Sequence, residues 1–419
     1  MAVLARIGKT ATALAVFIGF VAILFQKRII AFVHTPFDLP ESWHPFDGGS
    51  ANVLFADTIK FAEDLIIDHD RGVAIVSSDA GRSQWNTVLG ILENPDPKGN
   101  LYIYDYASTG SLKELELVDF PETSDFHPLG VDFFRSSPGA STRLFVVNHA
   151  RTGSRVDIFD LDYKQHQAKY IRSISDDNKT IVSPNAVHPI SYTQFYVTND
   201  HLHTSANGRV LSMIETLFVR PLSWATFVDF SDPNELKCTV VAEGIPFANG
   251  IIVTPTGKEV LIASTTTSAV FVYERDAQTN LLSKTRETIL THFRTDNLAF
   301  DDSLDVSDPT AFDSEGRFLR GVIVGGHPSN IVLQLMARNP DKYNAPSWVA
   351  EIRRGTGVDP APFPAGPEHP EGSFYSRTLY LSNGNHYASV CTGALDSKRG
   401  HMLASGLYGK GILDISWKV

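Results

Sequence analysis

Cysteine is scarce in this chain: 419 residues contain two, Cys238 and Cys391. They stand 153 positions apart, and they either form one disulfide or remain buried thiols, so cysteine usage fixes no redox compartment. Positive charge is also short. Lys and Arg number 36 against 47 Asp and Glu, a formal charge of −11. That balance argues against a nucleic-acid surface, which needs clustered Lys and Arg. It is compatible with cation binding, as many acidic surfaces are.

One long apolar run stands out, Ala11 to Phe25, "ATALAVFIGFVAILF". Its fifteen uncharged residues match the apolar core of a signal peptide and fall short of the ~20 a full span needs. Arg6 and Lys9 precede it, Gln26-Lys27-Arg28 follow, and no small-x-small cleavage site comes after. Residues 1–30 therefore read as an uncleaved signal anchor, with a cleaved signal peptide as the alternative. Either route places residues 31–419 in the secretory pathway, membrane-anchored or secreted, where Ca²⁺ is plentiful. One glycosylation sequon, Asn178-Lys179-Thr180, is permissive.

Helical signals are sparse beyond Pro40, and β signals dominate. Six runs share a form, an apolar strand ending in small or polar residues: "VAIVSSD" from Val73, "LFVVNH" from Leu144, "FYVTND" from Phe195, "VLIAST" from Val260, "VIVGGH" from Val322 and "LYLSNG" from Leu379. Most are followed by a second strand-like run, including "IVLQLM" from Ile331 and "ASVCTG" from Ala388. Starts spaced 51 to 71 residues apart suit one four-stranded blade each and predict an all-β, six-bladed propeller. An irregular sandwich or barrel is the alternative. Leu202 to Trp224 carries apolar residues at helical spacing and predicts a short amphipathic helix, either a lid on the top face or a membrane contact. The Pro-rich stretch Gly355 to Pro370 reads as an excursion loop.

Acid and amide residues recur at the ends of the β-type runs: Glu63-Asp64 in "FAEDL", Asn185 in "SPNAV", Asn249 in "FANGI" and Asp296-Asn297 in "RTDNL". Taken singly, such residues cap turns between strands. Together, with no cysteine nearby and no regular His spacing, they form a hard oxygen set that suits Ca²⁺ rather than zinc or copper. A propeller, whose inner strands converge on a central channel, brings such distant positions to one point.

"FAEDL", "VVNHA", "TNDH", "EGIPFANGI", "TDNLAFD" and "VGGHP" stand in the order seen in the paraoxonase/arylesterase family of calcium-dependent lactonases, and the chain resembles that family closely from Ala62 to His327. The resemblance implies a six-bladed propeller with a calcium tunnel and a retained N-terminal hydrophobic helix. It implies a catalytic Ca²⁺ on Glu63, Asn185, Asn249, Asp296 and Asn297, acting as Lewis acid on an ester carbonyl. It places a second, structural ion on Asp64, the carbonyl of Val131 and a carboxylate that is here Ala186.

Two family histidines form a base pair. His149 matches one; the other is replaced by Leu129, which cannot accept a proton. His127 shares a face with Leu129 in an extended segment, and either takes over as base or only packs. His327 matches a histidine at the tunnel mouth, and Asp200 in "TNDH" is a further acid near the centre. Glu63 or Asp296 could also activate water, though a bound cation lowers their basicity.

The expected activity is Ca²⁺-dependent hydrolysis of lactones or aryl esters, with no nucleic-acid partner. The alternatives are a non-hydrolytic lactone isomerisation or rearrangement on the same ion, and a catalytically impaired binding propeller. Substrate choice rests on the loops Ser83 to Gly99, His201 to Trp224 and Gly355 to Glu371, and neither substrate nor oligomeric state is legible.

Overall fold

The computed structural model describes residues 42–43, 49–88, 90–93, 98–121, 124–176, 178–355 and 374–419. The segment 1–30 and most of the Pro-rich stretch lie outside the described residues.

Six sheets stand as blades round one axis, antiparallel except where Glu116–Val118 adds a parallel edge strand to the second. Their innermost strands are β1 (Ala62–Asp68), β2 (Pro128–Phe134), β3 (Pro184–Pro189), β4 (Ala248–Val253), β5 (Arg294–Phe300) and β6 (Val390–Asp396). Each packs on the next, and β6 packs on β1, so the ring closes. The chain is the six-bladed propeller its repeats predicted.

Blade faces pack against neighbouring blades, so strands such as Glu259–Ser264 are buried at every position. This is why their sequences read as continuous apolar runs rather than alternating ones. One core cluster joins Val76 and Tyr104 of the first blade to Leu403 and Leu413 of the sixth. Each such aliphatic side chain contributes about 1.5–3 kcal/mol on burial.

The sixth blade takes its outer strand from the other end of the chain. Ser50–Leu54 pairs antiparallel with Ile412–Ser416, so the two ends are held in one sheet. That closure was not read from the sequence, and the sixth repeat needs correction. "LYLSNG" belongs to Phe374–Ser382, a strand of the fifth blade, and "ASVCTG" supplies β6. "IVLQLM" is no strand but lies in helix α2 (Asn330–Arg338). Its β-branched start resembles a strand, yet Leu333, Met336 and Ala337 are buried at helical spacing, and the Ser329 hydroxyl caps the helix by accepting from the Val332 N–H.

The helix expected after Leu202 forms as α1 (Ser205–Leu217), interrupted at Gly208. It turns polar residues inward, burying Ser205, Ser212 and Glu215, and leaves Val210, Leu211, Met213 and Ile214 exposed. Glu215 anchors it by accepting from the N–H groups of Leu202 and His203 at 2.9 and 3.0 Å. Among the described residues no helix is long and apolar enough to cross a membrane. Cys238 and Cys391 are free thiols.

Candidate active site in the central tunnel

All six inner strands share one irregularity. Their pairing with the second strand of the blade shifts register between Ala62 and Asp64, Pro128 and Val131, Pro184 and Val187, Ala248 and Ile251, Thr295 and Leu298, and Val390 and Thr392. These positions bracket Glu63, Leu129, Asn185, Asn249, Asp296-Asn297 and Cys391. A bulge leaves its extra residue out of the ladder and re-aims its side chain. Here the ring of bulges carries all five residues expected to hold the catalytic ion, with Asp64 and Val131 at their edges.

The bulges form a waist between two cavities. Glu63, Leu129, Asn185, Asn249 and Asp296 line an upper cavity of about 380 Å³. Asp64, Val131, Ala186, Gly250 and Asn297 line a larger lower one. Two glycines set the spacing of this waist. A Cβ at Gly130 would come within 2.5 Å of the Asn185 carbonyl oxygen, and one at Gly250 within 2.5 Å of the Leu298 nitrogen. Only a residue without a side chain lets neighbouring inner strands approach this far.

Glu63, Asn185, Asn249, Asp296 and Asn297 are all at most 5% exposed. The amide NH₂ groups have partners. Asn185 donates to Asp200 at 3.2 Å, Asn249 to Thr265 at 3.1 Å and Asn297 to Glu63 at 2.9 Å. Their oxygens do not: Oδ1 of all three amides and Oε2 of Glu63 are buried with no hydrogen-bond partner. Each such atom costs about 1–3 kcal/mol, so four together rival the ~5–15 kcal/mol stability of a whole domain. Burial pushes the Glu63 carboxyl well up, and the charges of Asp64 and Asp296 push it further.

An all-oxygen set of this kind, acidic and short of donors, suits a hard cation. Among the described residues no group of three or more His, Cys, Asp or Glu side chains is arranged to hold a metal, so any ion here depends on the amide oxygens.

Asp64 is differently placed. Its carboxylate accepts from the N–H groups of Leu65 and Val131 and from the Thr392 hydroxyl, each at 2.9 Å. Burial outweighs these bonds and raises its pKa to about 7.

The histidines divide by their contacts. His149 Nε2 lies 2.7 Å from the Pro184 carbonyl, which only accepts, so this nitrogen carries the proton. Its Nδ1 lies 3.0 Å from the Thr87 hydroxyl. Burial lowers the pKa of the ring and keeps it neutral, its lone pair turned to Thr87. His127 is 1% exposed and lines the upper cavity. Its Nδ1 faces Asp79 at 3.0 Å. Its Nε2 lies 3.3 Å from Asp125 Oδ1, but not in line for a hydrogen bond, and has no bonding partner. Asp125 is itself gripped by Arg151; burial raises its pKa, the Arg151 bonds more than reverse this, and it falls to about 2.

His327 Nε2 meets Asp296 Oδ2 at 2.6 Å. Asp200 meets the His201 ring at 3.1 Å, and that ring meets Thr216 of α1 at 2.7 Å. Asp200 thus links the Asn185 amide to the helix over the cavity. Residues of α1 and α2 roof it, among them Met213, Leu217 and Leu333. The loop after Ser83 adds Trp85 and Val88. Asp79, Thr87, Arg82 and Arg294 were not singled out from the sequence. Asp79 ends a strand run quoted for its pattern alone, Arg294 opens "RTDNL", read only for Asp296 and Asn297, and Arg82 and Thr87 carry no motif.

Comparison with known proteins identifies the family. The arylesterase family model matches residues 72–349. The chain is 31% identical over 248 residues to serum paraoxonase/lactonase 3 of Oryctolagus cuniculus, covering 59% of this chain and 62% of that protein. It is 29% identical over 237 residues to serum paraoxonase/arylesterase 2 of Canis lupus familiaris, covering 56% and 59%. The chain thus spans about three fifths of the length of these relatives. Among solved structures it is similar to a luciferin-regenerating enzyme at 11% identity and a TM-score of 0.49, over 88% of this chain and 96% of that one, too loosely to bear on the site. The family model covers well over half of the sequence, and the chain belongs to the arylesterase family.

Proposed function

We propose that this protein hydrolyses lactones or aryl esters in the upper cavity, with one Ca²⁺ held by Glu63, Asn185, Asn249, Asp296 and Asn297. The observation that carries this reading is the set of four buried oxygens without partners at the waist. When bound, such an ion polarises an ester carbonyl and steadies the charge that develops on its oxygen. The relatives' names, lactonase and arylesterase, support the same substrate class. A second ion is not part of the proposal. Ala186 brings no charge to the lower cavity, and the Asp64 oxygens already accept three hydrogen bonds.

His127 is the base in this reading. With Nδ1–H turned to Asp79, its Nε2 keeps a lone pair; this nitrogen is buried beside Asp125, and in this reading it takes a proton from a water that reaches it with the substrate. Asp79 positions the ring. His149, its lone pair turned to Thr87, orders the wall that carries Asn185. Helices α1 and α2 exclude bulk water from above. Leu129 makes the cavity wall apolar where a second imidazole would otherwise stand.

The N-terminal run Ala11 to Phe25 supports a membrane-tethered or secreted protein of the secretory pathway, and the exposed apolar side of α1 suits a membrane nearby. N-terminal sequencing that starts near residue 30 or later would exclude the tether. Calorimetric Ca²⁺ titration with parallel phenyl ester assays tests the centre. Asp296→Ala and Asn249→Ala should lose both ion binding and turnover, and full activity in Asp296→Ala would refute the proposal.

A further inference from the structure

Arg82 enters the wall of the upper cavity from the loop after the second strand of the first blade, and it is 4% exposed. Its Nε and Nη2 donate to the carbonyls of Phe61 and Pro128, at 3.3 and 2.8 Å. Among the described residues no carboxylate oxygen lies within 4.0 Å of this guanidinium, which stays charged at any ordinary pH. The acids lining the same cavity make their contacts with other groups, though one oxygen of Glu63 has no partner. Asp79 meets His127 at 3.0 Å, Asp296 meets His327 at 2.6 Å, and Glu63 accepts from Asn297 at 2.9 Å.

Two carbonyls could be bonded by a neutral donor. A full charge buried without a carboxylate in contact favours an anion beside it, and Glu63 feels the Arg82 charge only through space. Arg294, 5% exposed, lines the same cavity and donates to the Thr266 carbonyl. Burial brings its pKa down to about 10, which leaves it cationic at neutral pH. Arg209 of α1 and Arg338 of α2, both exposed, stand at the mouth. Four guanidiniums from four separate segments therefore border one cavity.

We propose that the cavity selects substrates bearing a carboxylate beside the ester or lactone, with Arg82 as the anchoring residue and Arg294 as a second cationic wall. This inference rests on the hydrolase reading and narrows its substrate class to acidic esters and lactones, such as half-esters of dicarboxylic acids. A guanidinium offers a planar fork that fits a carboxylate with two parallel hydrogen bonds. The arginines at the mouth add a field of one sign that draws anions in.

The test compares monophenyl glutarate with its neutral methyl phenyl diester, using the full chain with Ca²⁺ present and phenol release as readout. Wild type should favour the anionic ester in kcat/KM by on the order of tenfold or more. Arg82→Gln should cut that ratio by roughly 30-fold, chiefly through KM, and Arg82→Lys should restore part of it. Glutarate binding by calorimetry gives a readout independent of turnover, strong in wild type and at least about tenfold weaker in Arg82→Gln. Equal turnover of the two esters overturns the inference and leaves the hydrolase reading standing. Glutarate bound through Arg82 with neither ester cleaved supports the anion site and removes the aryl-ester part of the hydrolase reading. Failure of wild type to bind glutarate overturns the inference, and this arm decides the matter even if the variants do not fold.

Discussion

At the scale of single residues the two tunnel histidines separate by what their nitrogens face. His127 keeps a nitrogen free of hydrogen bonds and a carboxylate behind it, whereas His149 has both nitrogens occupied. His127→Gln should therefore lower ester turnover per folded molecule by ~10²–10⁴-fold, the usual worth of a general base. His149→Ala should act mainly on melting temperature. A large rate loss in His149→Ala with none in His127→Gln would reverse the assignment. His149 also has a pH signature. Its pKa is lower in the folded chain than the ~6.5 of the free ring, so the unfolded chain takes up its proton first. Stability is lost as pH falls below about 6.5, by up to ~1.4 kcal/mol per pH unit. Melting temperatures from pH 7.5 to 5.5 should fall more steeply for wild type than for His149→Gln. Parallel slopes would show that His149 does not titrate. The sequence named both histidines but not Asp79 or Thr87. A partner brought in from another strand leaves no local signal.

At the scale of elements, the bulge is the unit that builds the site. Five of the six inner strands break register where a candidate ligand or a cavity residue stands, and Gly130 and Gly250 let the neighbouring strands close in. Gly250→Ala would drive a methyl group into β5 beside Asn297, so Ca²⁺ affinity should fall along with melting temperature. Unchanged calcium binding in a stable Gly250→Ala protein would show that this spacing does not set the ligand geometry. The candidate ligand residues were legible because acids and amides at strand ends are conspicuous among apolar runs. The bulges were not, since "FAEDL" and "FANGI" look alike whether the ladder is regular or broken. The strand expected at Ile331 failed for a related reason: three β-branched or aliphatic residues in a row suit either period, and packing of Leu333 and Met336 chose the helix.

At the scale of the molecule, the ring is closed by Ser50–Leu54 on Ile412–Ser416 and centred on a waist to which four blades bring candidate ligand residues. A chain shortened to begin at residue 41 keeps that closing strand and should fold. One beginning at residue 56 loses it and should unfold without a cooperative transition or aggregate through the exposed edge. Equal melting temperatures for the two would contradict the closure. Six units were readable from recurring apolar runs, but the division of the sixth was not, because its outer strand comes from the far end of the chain. The central claim is that one Ca²⁺ at the waist both completes the fold's buried oxygens and enables ester hydrolysis. Its most direct test follows phenyl ester turnover before chelation, after chelation with the metal content verified, and after Ca²⁺ is restored. The account predicts that turnover vanishes on chelation and returns with about one Ca²⁺ per chain. Undiminished hydrolysis by protein verified to be free of metal would contradict it.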